Sequence, residues 1–294
     1  MKKKKKAIYL LFLMPFVYFA TACFVMWLVK TSGIYPSGSD TMYHVYRGDF
    51  VYNAIKSGNW YPLYDASWYN GVELLRYWSP LTAYVMALCQ FIAGGSQFGA
   101  YLIFIGGVCF LGACVWPFIG RGFNRPYLGA FIGLLWFFMP NNLCAIFIEG
   151  NLARSLSMIF LPVFIYAVYK YLDNQKLRYI PLMVFTFLLT ALCHLGYAGM
   201  VAIAVIIYGI VYIIQKGRKR AVLDVVISML LGFMLLGIWM VASLKGGITS
   251  LDNSENMANF FQNLWTTINP FERLTRGFEN FYFGFAALFV IVFG

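Results

Sequence analysis

Three side chains with different acid–base chemistry recur at helical spacing in the first polar stretch of this sequence. Asp40, His44 and Arg47 stand at positions i, i+4 and i+7, so a helix through them places all three on one face. The carboxylate can accept a proton from a hydroxyl group, and the guanidinium can hold a phosphate through paired hydrogen bonds. The spacing therefore favours group transfer. The alternative is that Ser37 and Asp40 form a capping box, in which Asp40 only satisfies backbone donors.

Three more polar residues emerge between apolar segments further along the chain. Glu149 and Arg154 belong to the short turn Glu-Gly-Asn-Leu-Ala-Arg, and His194 ends a later apolar segment. In the functional interpretation, Arg154 contacts a lipid-linked phosphate, Glu149 orients it or an acceptor, and His194 shares their membrane face. In the structural interpretation, the first two form a surface salt bridge and His194 is a cap or a packed residue.

A long polar stretch near the end, 244–280, mixes cations with aromatic and amide side chains. Lys245 and Arg273 lie there among Asn, Phe, Tyr and Trp residues. Aromatic rings beside polar groups suit sugars, which offer C–H faces for stacking and hydroxyls for hydrogen bonds. An aromatic belt at a membrane interface explains the same composition. Both interpretations apply equally to the tryptophans at 60 and 68.

The elements that position these residues begin with an N-terminal anchor. Five lysines, Lys2 to Lys6, precede the 23 uncharged residues from Ala7 to Val29. At about 1.5 Å per residue, this run is long enough to cross a hydrocarbon core of about 30 Å as a helix. The lysines hold its start in the cytoplasm, which delivers the stretch 30–79 to the outer face. A cleaved signal peptide is the alternative, but the apolar run is too long for one.

The composition restricts the class of protein. The chain of 294 residues is 61% hydrophobic and 11% charged, which is typical of a multi-pass membrane protein and excludes a soluble domain. Its net charge of +11 does not indicate a nucleic-acid partner, because the basic residues cluster between apolar segments as the positive-inside rule requires. The six cysteines lack metal or CxxC spacing and are interpreted as small apolar residues.

The basic clusters predict the membrane topology. Reading between them gives seven spans, near 7–29, 98–120, 127–146, 155–172, 179–195, 198–215 and 221–243. An eighth begins near Phe281, and we expect the chain to be truncated inside it or to continue in a longer protein. If residues 80–93 crossed the membrane, every later basic cluster would lie outside, so this segment is predicted to be an interfacial helix of the first outer loop, 30–97. The sequence predicts one all-α transmembrane domain over 1–294, with a last outer loop at 244–280.

Several motifs along the chain form a recognisable combination. They are Asp40-x-x-x-His44-x-x-Arg47, Gly58-Asn-Trp-Tyr-Pro62, Trp68-Tyr-Asn-Gly71, Tyr77-Trp-Ser-Pro80-Leu, Glu149-Gly-Asn-Leu-Ala-Arg154 and His194 at the end of a span. On these motifs the chain resembles bacterial proteins of the GT-C glycosyltransferase type, and within them the branch labelled 6-pyruvoyl-tetrahydropterin synthase-related membrane protein. Nothing in it resembles the zinc-binding histidine set of a soluble pterin enzyme.

This resemblance implies a fold, a reaction and partners. It implies a GT-C helix bundle in the bacterial plasma membrane that moves a sugar from a polyprenyl-phosphate donor to a glycan or lipid acceptor at the outer face, for envelope or exopolysaccharide assembly. It gives Asp40 the role of base or acceptor-positioning group, with Asp49 as the second candidate. Because the loop lacks an Asp-x-Asp pair, no metal cofactor is expected. The alternatives are a non-catalytic subunit of a polysaccharide assembly machine and a transporter of lipid or glycan.

Overall fold

The computed structural model describes residues 2–36, 38–68, 71–76 and 78–245, with side chains from residue 12 to residue 241 in these ranges. Eleven α-helices and one π-helical segment, Cys144–Ile148, account for most of this part of the chain. The α-helices are α1 (Lys2–Ser32), α2 (Thr41–Lys56), α3 (Leu81–Ile92), α4 (Gln97–Gly122), α5 (Pro126–Trp136), α6 (Pro140–Leu143), α7 (Leu152–Asn174), α8 (Tyr179–Cys193), α9 (Leu195–Lys216), α10 (Lys219–Leu235) and α11 (Gly237–Lys245).

The all-helical prediction is confirmed for the described residues, which contain no β-strand and one isolated bridge, between Asp65 and Val72. Among the described residues, five helical segments are long and apolar enough to cross a membrane. They are Phe12–Ser32, Gln97–Gly122, Pro126–Ile148, Leu152–Asn174 and Leu195–Lys216. The predicted number of about eight spans is not confirmed. The expected span at 179–195 is the 15-residue helix α8, and the one at 221–243 is divided between α10 and α11 at Leu236.

Residues 80–93 form a helix that is too short to be a span. α3 has 12 residues, and a spanning helix needs about 17–25. It packs against α2 through Val51, Leu75, Ala83 and Ala87, which form a small buried cluster. This agrees with the predicted short helix, whereas its position at a membrane interface stays a prediction. The eighth span near Phe281 lies outside the described residues.

Two larger apolar clusters hold the helices together. One gathers buried residues of α1, α4 and the start of α7, and the other gathers those of α7, α8, α9 and α10. Large apolar side chains such as Phe16, Phe118 and Ile214 remain exposed on the outside of the helices. Exposed apolar side chains along hydrophobic helices are what a lipid environment requires.

The loops fall at two opposite ends of the bundle, which we call the site end and the basic end. The site end carries α2, α3 and the starts of α7 and α9, and hydrogen bonds such as that from Asp40 N to Glu149 O (3.0 Å) join its loops. The basic end carries the α4–α5, α7–α8 and α9–α10 loops. Near the end of α7, Arg218 Nη1 donates to Leu172 O at 3.4 Å, and Lys170 Nζ lies 4.4 Å from the centre of the Phe123 ring. The basic inter-helix clusters of the sequence therefore share one end, as the topology prediction requires.

Candidate functional site

One face of α2 forms a wall of a cavity at the site end. Asp40, His44 and Arg47 all line this cavity, whose volume is about 480 Å³. The i, i+4, i+7 spacing therefore places these three side chains together, as the sequence predicts. His194 lines the same cavity from the α8–α9 junction. Four of the nine candidate residues thus meet in one place.

Asp40 begins α2 without using its carboxylate as a cap. It is the N-cap residue, but its side chain makes no capping hydrogen bond. Its backbone N–H donates to Glu149 O at 3.0 Å instead, and the Ser39 hydroxyl donates to the same oxygen at 2.8 Å. Main-chain contacts therefore fix the position of Asp40, and its carboxylate has no hydrogen-bond partner among the described residues. That leaves the carboxylate available for an acceptor hydroxyl.

Arg47 is a buried cation without a counter-ion in the described part of the chain. Only 1% of its surface is exposed, and no carboxylate of a described residue lies within 4.0 Å of its nitrogens. Nη2 donates to Trp78 O (3.1 Å) and Ser79 O (3.4 Å), whereas Nε has no partner there. Burial lowers the pKa of Arg47, yet a guanidinium stays charged at neutral pH. A buried, uncompensated positive charge on a cavity wall is a candidate anion site.

Two neutral histidines complete the polar lining. Burial, the Arg47 charge and His194 lower the pKa of His44 from 6.5 to about 3. Burial and the Arg154 charge also lower the pKa of His194. The Nδ1 atom of His194 accepts a hydrogen bond from Tyr197 N at 3.0 Å, so its ring proton belongs on Nε2. Both imidazoles are therefore neutral hydrogen-bonding groups rather than cations at neutral pH.

Aromatic rings form the side of the cavity that faces the first outer loop. The rings of Trp68 and Trp78 lie 5.1 and 5.6 Å from that of Tyr43, centroid to centroid. Asp65 holds the Trp68 segment by accepting hydrogen bonds from the Tyr46 hydroxyl and from Ser67. Burial raises the pKa of Asp65, but the hydrogen bonds from Ser67 and Tyr46 to its ionised form together outweigh burial and lower it. Aromatic rings beside a cation and a carboxylate suit a phosphorylated sugar.

Ser79 joins the first outer loop to the junction of α8 and α9. Its hydroxyl donates to Ala191 O at 2.9 Å and accepts from Leu195 N at 3.1 Å. Its carbonyl is one of the two that bind Arg47. The same residue therefore positions both the cation of α2 and the helix junction that carries His194.

Glu149 and Arg154 form a buried ion pair beside the cavity. Arg154 Nη1 lies 2.9 and 2.8 Å from the two carboxylate oxygens of Glu149, and its Nη2 donates to Asn141 Oδ1 at 2.7 Å. Arg154 is 9% exposed, and neither member of the pair lines the cavity. The pair stiffens the 149–151 turn, whose Glu149 carbonyl holds Asp40. We interpret Glu149 and Arg154 as positioning residues for Asp40.

Two glycines allow the segment before α2 to pack closely against the 149–151 turn. A Cβ atom on Gly38 would lie 2.5 Å from the Cα of Gly150, and Gly150 has φ of +67°. Any side chain at Gly38 would push the two segments apart, and a side chain at Gly150 would strain the backbone as well. The sequence motif Glu-Gly-Asn thus has a steric reason for its glycine.

Asp49, the second candidate for the base, faces another direction. Its carboxylate accepts hydrogen bonds from Gln90 Nε2 at 2.6 Å and from Asn53 Nδ2 at 3.1 Å. It does not line the cavity. Asp49 connects α2 to α3, and of the two carboxylates only Asp40 borders the cavity.

The remaining candidates cannot be placed. Lys245 is the last residue of α11, and its side chain lies outside the described part of the structure, as does all of Arg273. Within the described residues, no group of three or more His, Cys, Asp or Glu side chains is arranged to hold a metal ion. The expectation that no metal cofactor is needed stays a prediction.

Sequence reasoning missed several cavity residues. Tyr43, Glu73, Trp78 and Ser79 line the cavity but are not among the candidates. Tyr43 precedes His44 in α2 and its side chain reaches the same cavity. The other three belong to an irregular segment between α2 and α3, where no periodicity shows which side chains turn inward.

Taken with the fold, the comparisons define the class of protein as a multi-pass membrane protein. The model of the family described as "6-pyruvoyl-tetrahydropterin synthase related domain; membrane protein" matches residues 75–294, and the chain belongs to this family. No curated protein and no solved structure matches the chain. The matched region includes Trp78, Glu149, Arg154 and His194 but begins after α2. The resemblance to GT-C glycosyltransferases is not tested by these comparisons.

Proposed function

We propose that this protein is a membrane glycosyltransferase that moves a sugar from a polyprenyl-phosphate donor to a hydroxyl-bearing glycan or lipid acceptor. The observation that carries the proposal is the buried, uncompensated Arg47 guanidinium in the same cavity as the Asp40 carboxylate, which makes no capping bond. A cation without an internal counter-ion favours a bound phosphate. A carboxylate beside it favours deprotonation of an attacking hydroxyl.

The proposed reaction is a direct displacement. The acceptor oxygen forms a bond to the anomeric carbon of the sugar, and the bond from that carbon to the phosphate oxygen breaks. The electron pair leaves with the polyprenyl phosphate, whose negative charge Arg47 stabilises. Asp40 accepts the proton of the acceptor hydroxyl. The neutral His44 and His194 supply hydrogen bonds to sugar or acceptor hydroxyls without adding charge.

The arrangement of charges supports an orientation. The basic inter-helix loops share one end of the bundle and the cavity lies at the other, which under the positive-inside rule favours an extracytoplasmic cavity. We accordingly propose a bacterial plasma membrane protein with a cytoplasmic N-terminus, acting in envelope or exopolysaccharide biosynthesis. Polyprenyl-phosphate sugars and extracytoplasmic acceptors are the partners that this location allows.

The decisive experiment compares two aspartates of the same helix. The full-length protein is reconstituted in liposomes with radiolabelled polyprenyl-phosphate sugars and assayed as native protein, Asp40→Asn and Asp49→Asn. We expect Asp40→Asn to lose about 10²- to 10⁴-fold in transfer rate, the usual contribution of a general base. Asp49→Asn is the matched control and should retain transfer, because Asp49 bonds to Gln90 and Asn53 away from the cavity.

Other outcomes have definite meanings. Full transfer by Asp40→Asn would remove Asp40 from the mechanism. Binding of the donor with no transfer by native protein would favour the non-catalytic assembly subunit. Movement of the intact donor across the liposome membrane would favour the transporter.

A further inference from the structure

We propose that Trp78 is the platform on which the sugar ring of the donor stacks, so that Trp78 makes the site selective for the glycosylated carrier over the bare carrier phosphate. This inference rests on the proposed function and specifies which residue recognises the sugar. Trp78 differs from the other rings that line the cavity in its exposure and in its hydrogen bond to Arg47.

The first argument is geometric. The carbonyl oxygen of Trp78 accepts a hydrogen bond from Arg47 Nη2 at 3.1 Å, so the main chain of Trp78 contacts the group assigned to the phosphate. In a glycosyl phosphate, the sugar carbon C1 and the phosphorus share a single bridging oxygen. A ring that belongs to the residue holding the phosphate-binding cation is therefore in the right neighbourhood for the attached sugar.

The second argument is exposure. Trp78 lines the cavity and is 52% exposed, whereas the two rings beside it are partly covered. The ring of Trp68 packs against Tyr43 and Tyr46, with centroids 5.1 and 4.7 Å apart. Among the described residues, the ring of Trp78 contacts that of Tyr43 at 5.6 Å and 64°, and about half of the surface of Trp78 stays exposed. Exposed indole surface at a cavity is what the C–H face of a sugar can cover.

The third argument is the polar group on the same segment. Glu73 also lines the cavity, and Arg76 holds its carboxylate in an ion pair. A fixed carboxylate accepts hydrogen bonds from sugar hydroxyls, so the 73–79 segment offers both a stacking face and hydrogen-bond acceptors. An aromatic residue that only anchors the protein at the membrane interface would need neither the cavity nor the carboxylate.

The test measures selectivity rather than turnover. Full-length protein in nanodiscs is titrated with two radiolabelled probes, a hexosyl polyprenyl phosphate and the bare polyprenyl phosphate. We expect Trp78→Ala to weaken binding of the hexosyl carrier by about tenfold, in the range of a lost aromatic stacking contact, and to change binding of the bare carrier by less than about twofold. Trp78→Phe should retain most of the selectivity.

Trp60→Ala is the matched control. Trp60 is a tryptophan of the same loop, is 71% exposed and does not line the cavity, so its removal should change neither affinity. Unchanged binding of the bare carrier by Trp78→Ala shows that the variant is folded and that Arg47 is in place.

Two results would overturn the inference alone. Equal losses for both carriers in Trp78→Ala would mean that Trp78 supports the site without contacting the sugar, and no loss for either would mean that it has no part in binding. If native protein binds neither carrier, the proposed function itself fails, and the assignment of Trp78 fails with it.

Discussion

Arg47 and Arg154 are both buried at the site end, but only Arg154 is paired with a carboxylate among the described residues. Arg154 has both oxygens of the Glu149 carboxylate and an Asn141 oxygen within 2.9 Å. Arg47 has two backbone carbonyls and an unpartnered Nε. A buried cation that is fully paired stabilises the fold only weakly, whereas an unpaired one needs a compensating anion. The difference supports the proposal that Arg154 maintains the structure and that Arg47 binds an anionic ligand.

The two arginines also act differently on the histidines beside them. Arg47 lowers the pKa of His44, and no carboxylate contribution opposes it. Arg154 lowers the pKa of His194, but the charges of Glu149 and Asp40 act in the opposite direction. The positive potential is therefore less neutralised around His44 and Arg47 than around His194, which again favours an anion on the α2 side of the cavity.

The largest effect should follow removal of the paired arginine. Arg154→Met leaves the Glu149 carboxylate buried without its cation, so we expect a loss of about 3–5 kcal/mol in unfolding free energy. The measurement is denaturant or thermal unfolding in detergent. Adding Glu149→Gln should recover much of this loss, because the uncompensated charge disappears. An unchanged unfolding midpoint for Arg154→Met would contradict the structural role of the pair.

Removal of the unpaired arginine should give the opposite pattern. Arg47→Met keeps an unbranched side chain but removes a charge that nothing described compensates, so unfolding free energy should fall by no more than about 1 kcal/mol. Affinity for polyprenyl phosphate should fall by about ten- to hundredfold, which corresponds to a lost charged hydrogen bond of about 1.5–3 kcal/mol. Both are measured on one preparation, by unfolding and by equilibrium binding. A large loss of stability with unchanged affinity would reverse the two roles.

The smallest effect concerns pH. The pKa of His44 is about 3 in the folded protein against 6.5 ordinarily, so between these values the unfolded chain binds a proton that the folded protein does not. Its contribution to stability is complete above pH 6.5 and is lost as the pH falls towards 3. From pH 7 to pH 5, native protein should lose about 1–2 kcal/mol more than His44→Gln.

An Arg47→Met background should reduce that difference, because Arg47 is one cause of the low pKa. Unfolding is measured at pH 7 and pH 5 for native protein, His44→Gln, Arg47→Met and the double variant Arg47→Met/His44→Gln. Equal losses in native protein and His44→Gln would show that His44 is not held neutral by its surroundings.

The sequence predicts the site where helical periodicity governs it. Asp40, His44 and Arg47 share a cavity because a helix repeats every 3.6 residues. The Asp40 side chain makes no capping hydrogen bond, whereas its catalytic role stays a prediction. The apolar segments are likewise predictable, because the length of an uninterrupted apolar run can be read from the sequence. The 127–146 segment illustrates the limit: it contains α5, α6 and a π-helical turn, although its composition is that of one span.

Tertiary contacts account for what the sequence does not predict. From the sequence alone, Asp40 and Asp49 are both candidate carboxylates of the first outer loop. In the structure, Gln90, 41 residues from Asp49, donates a hydrogen bond to the Asp49 carboxylate. The role proposed for Trp78 depends on a hydrogen bond to Arg47 across 31 residues of chain. The Asp49–Gln90 contact depends on how α2 packs on α3, and the irregular segment that holds Trp78 has no repeat that would predict its contact with Arg47, so both assignments require the fold.

The hydrogen bonds that complete the cavity have a consequence for how the protein is made. Ser39 and Glu149 are 110 residues apart, and Ser79 and Ala191 are 112 apart. At about 5–20 residues per second, a ribosome completes the second member of each pair roughly 5–20 seconds after the first. The Arg47 face of α2 is therefore synthesised well before the turn and the helix junction that enclose it. Throughout that interval the nascent chain contains the cavity residues of 40–79 but not those of 151–196, so the cavity is complete only after the later helices are made.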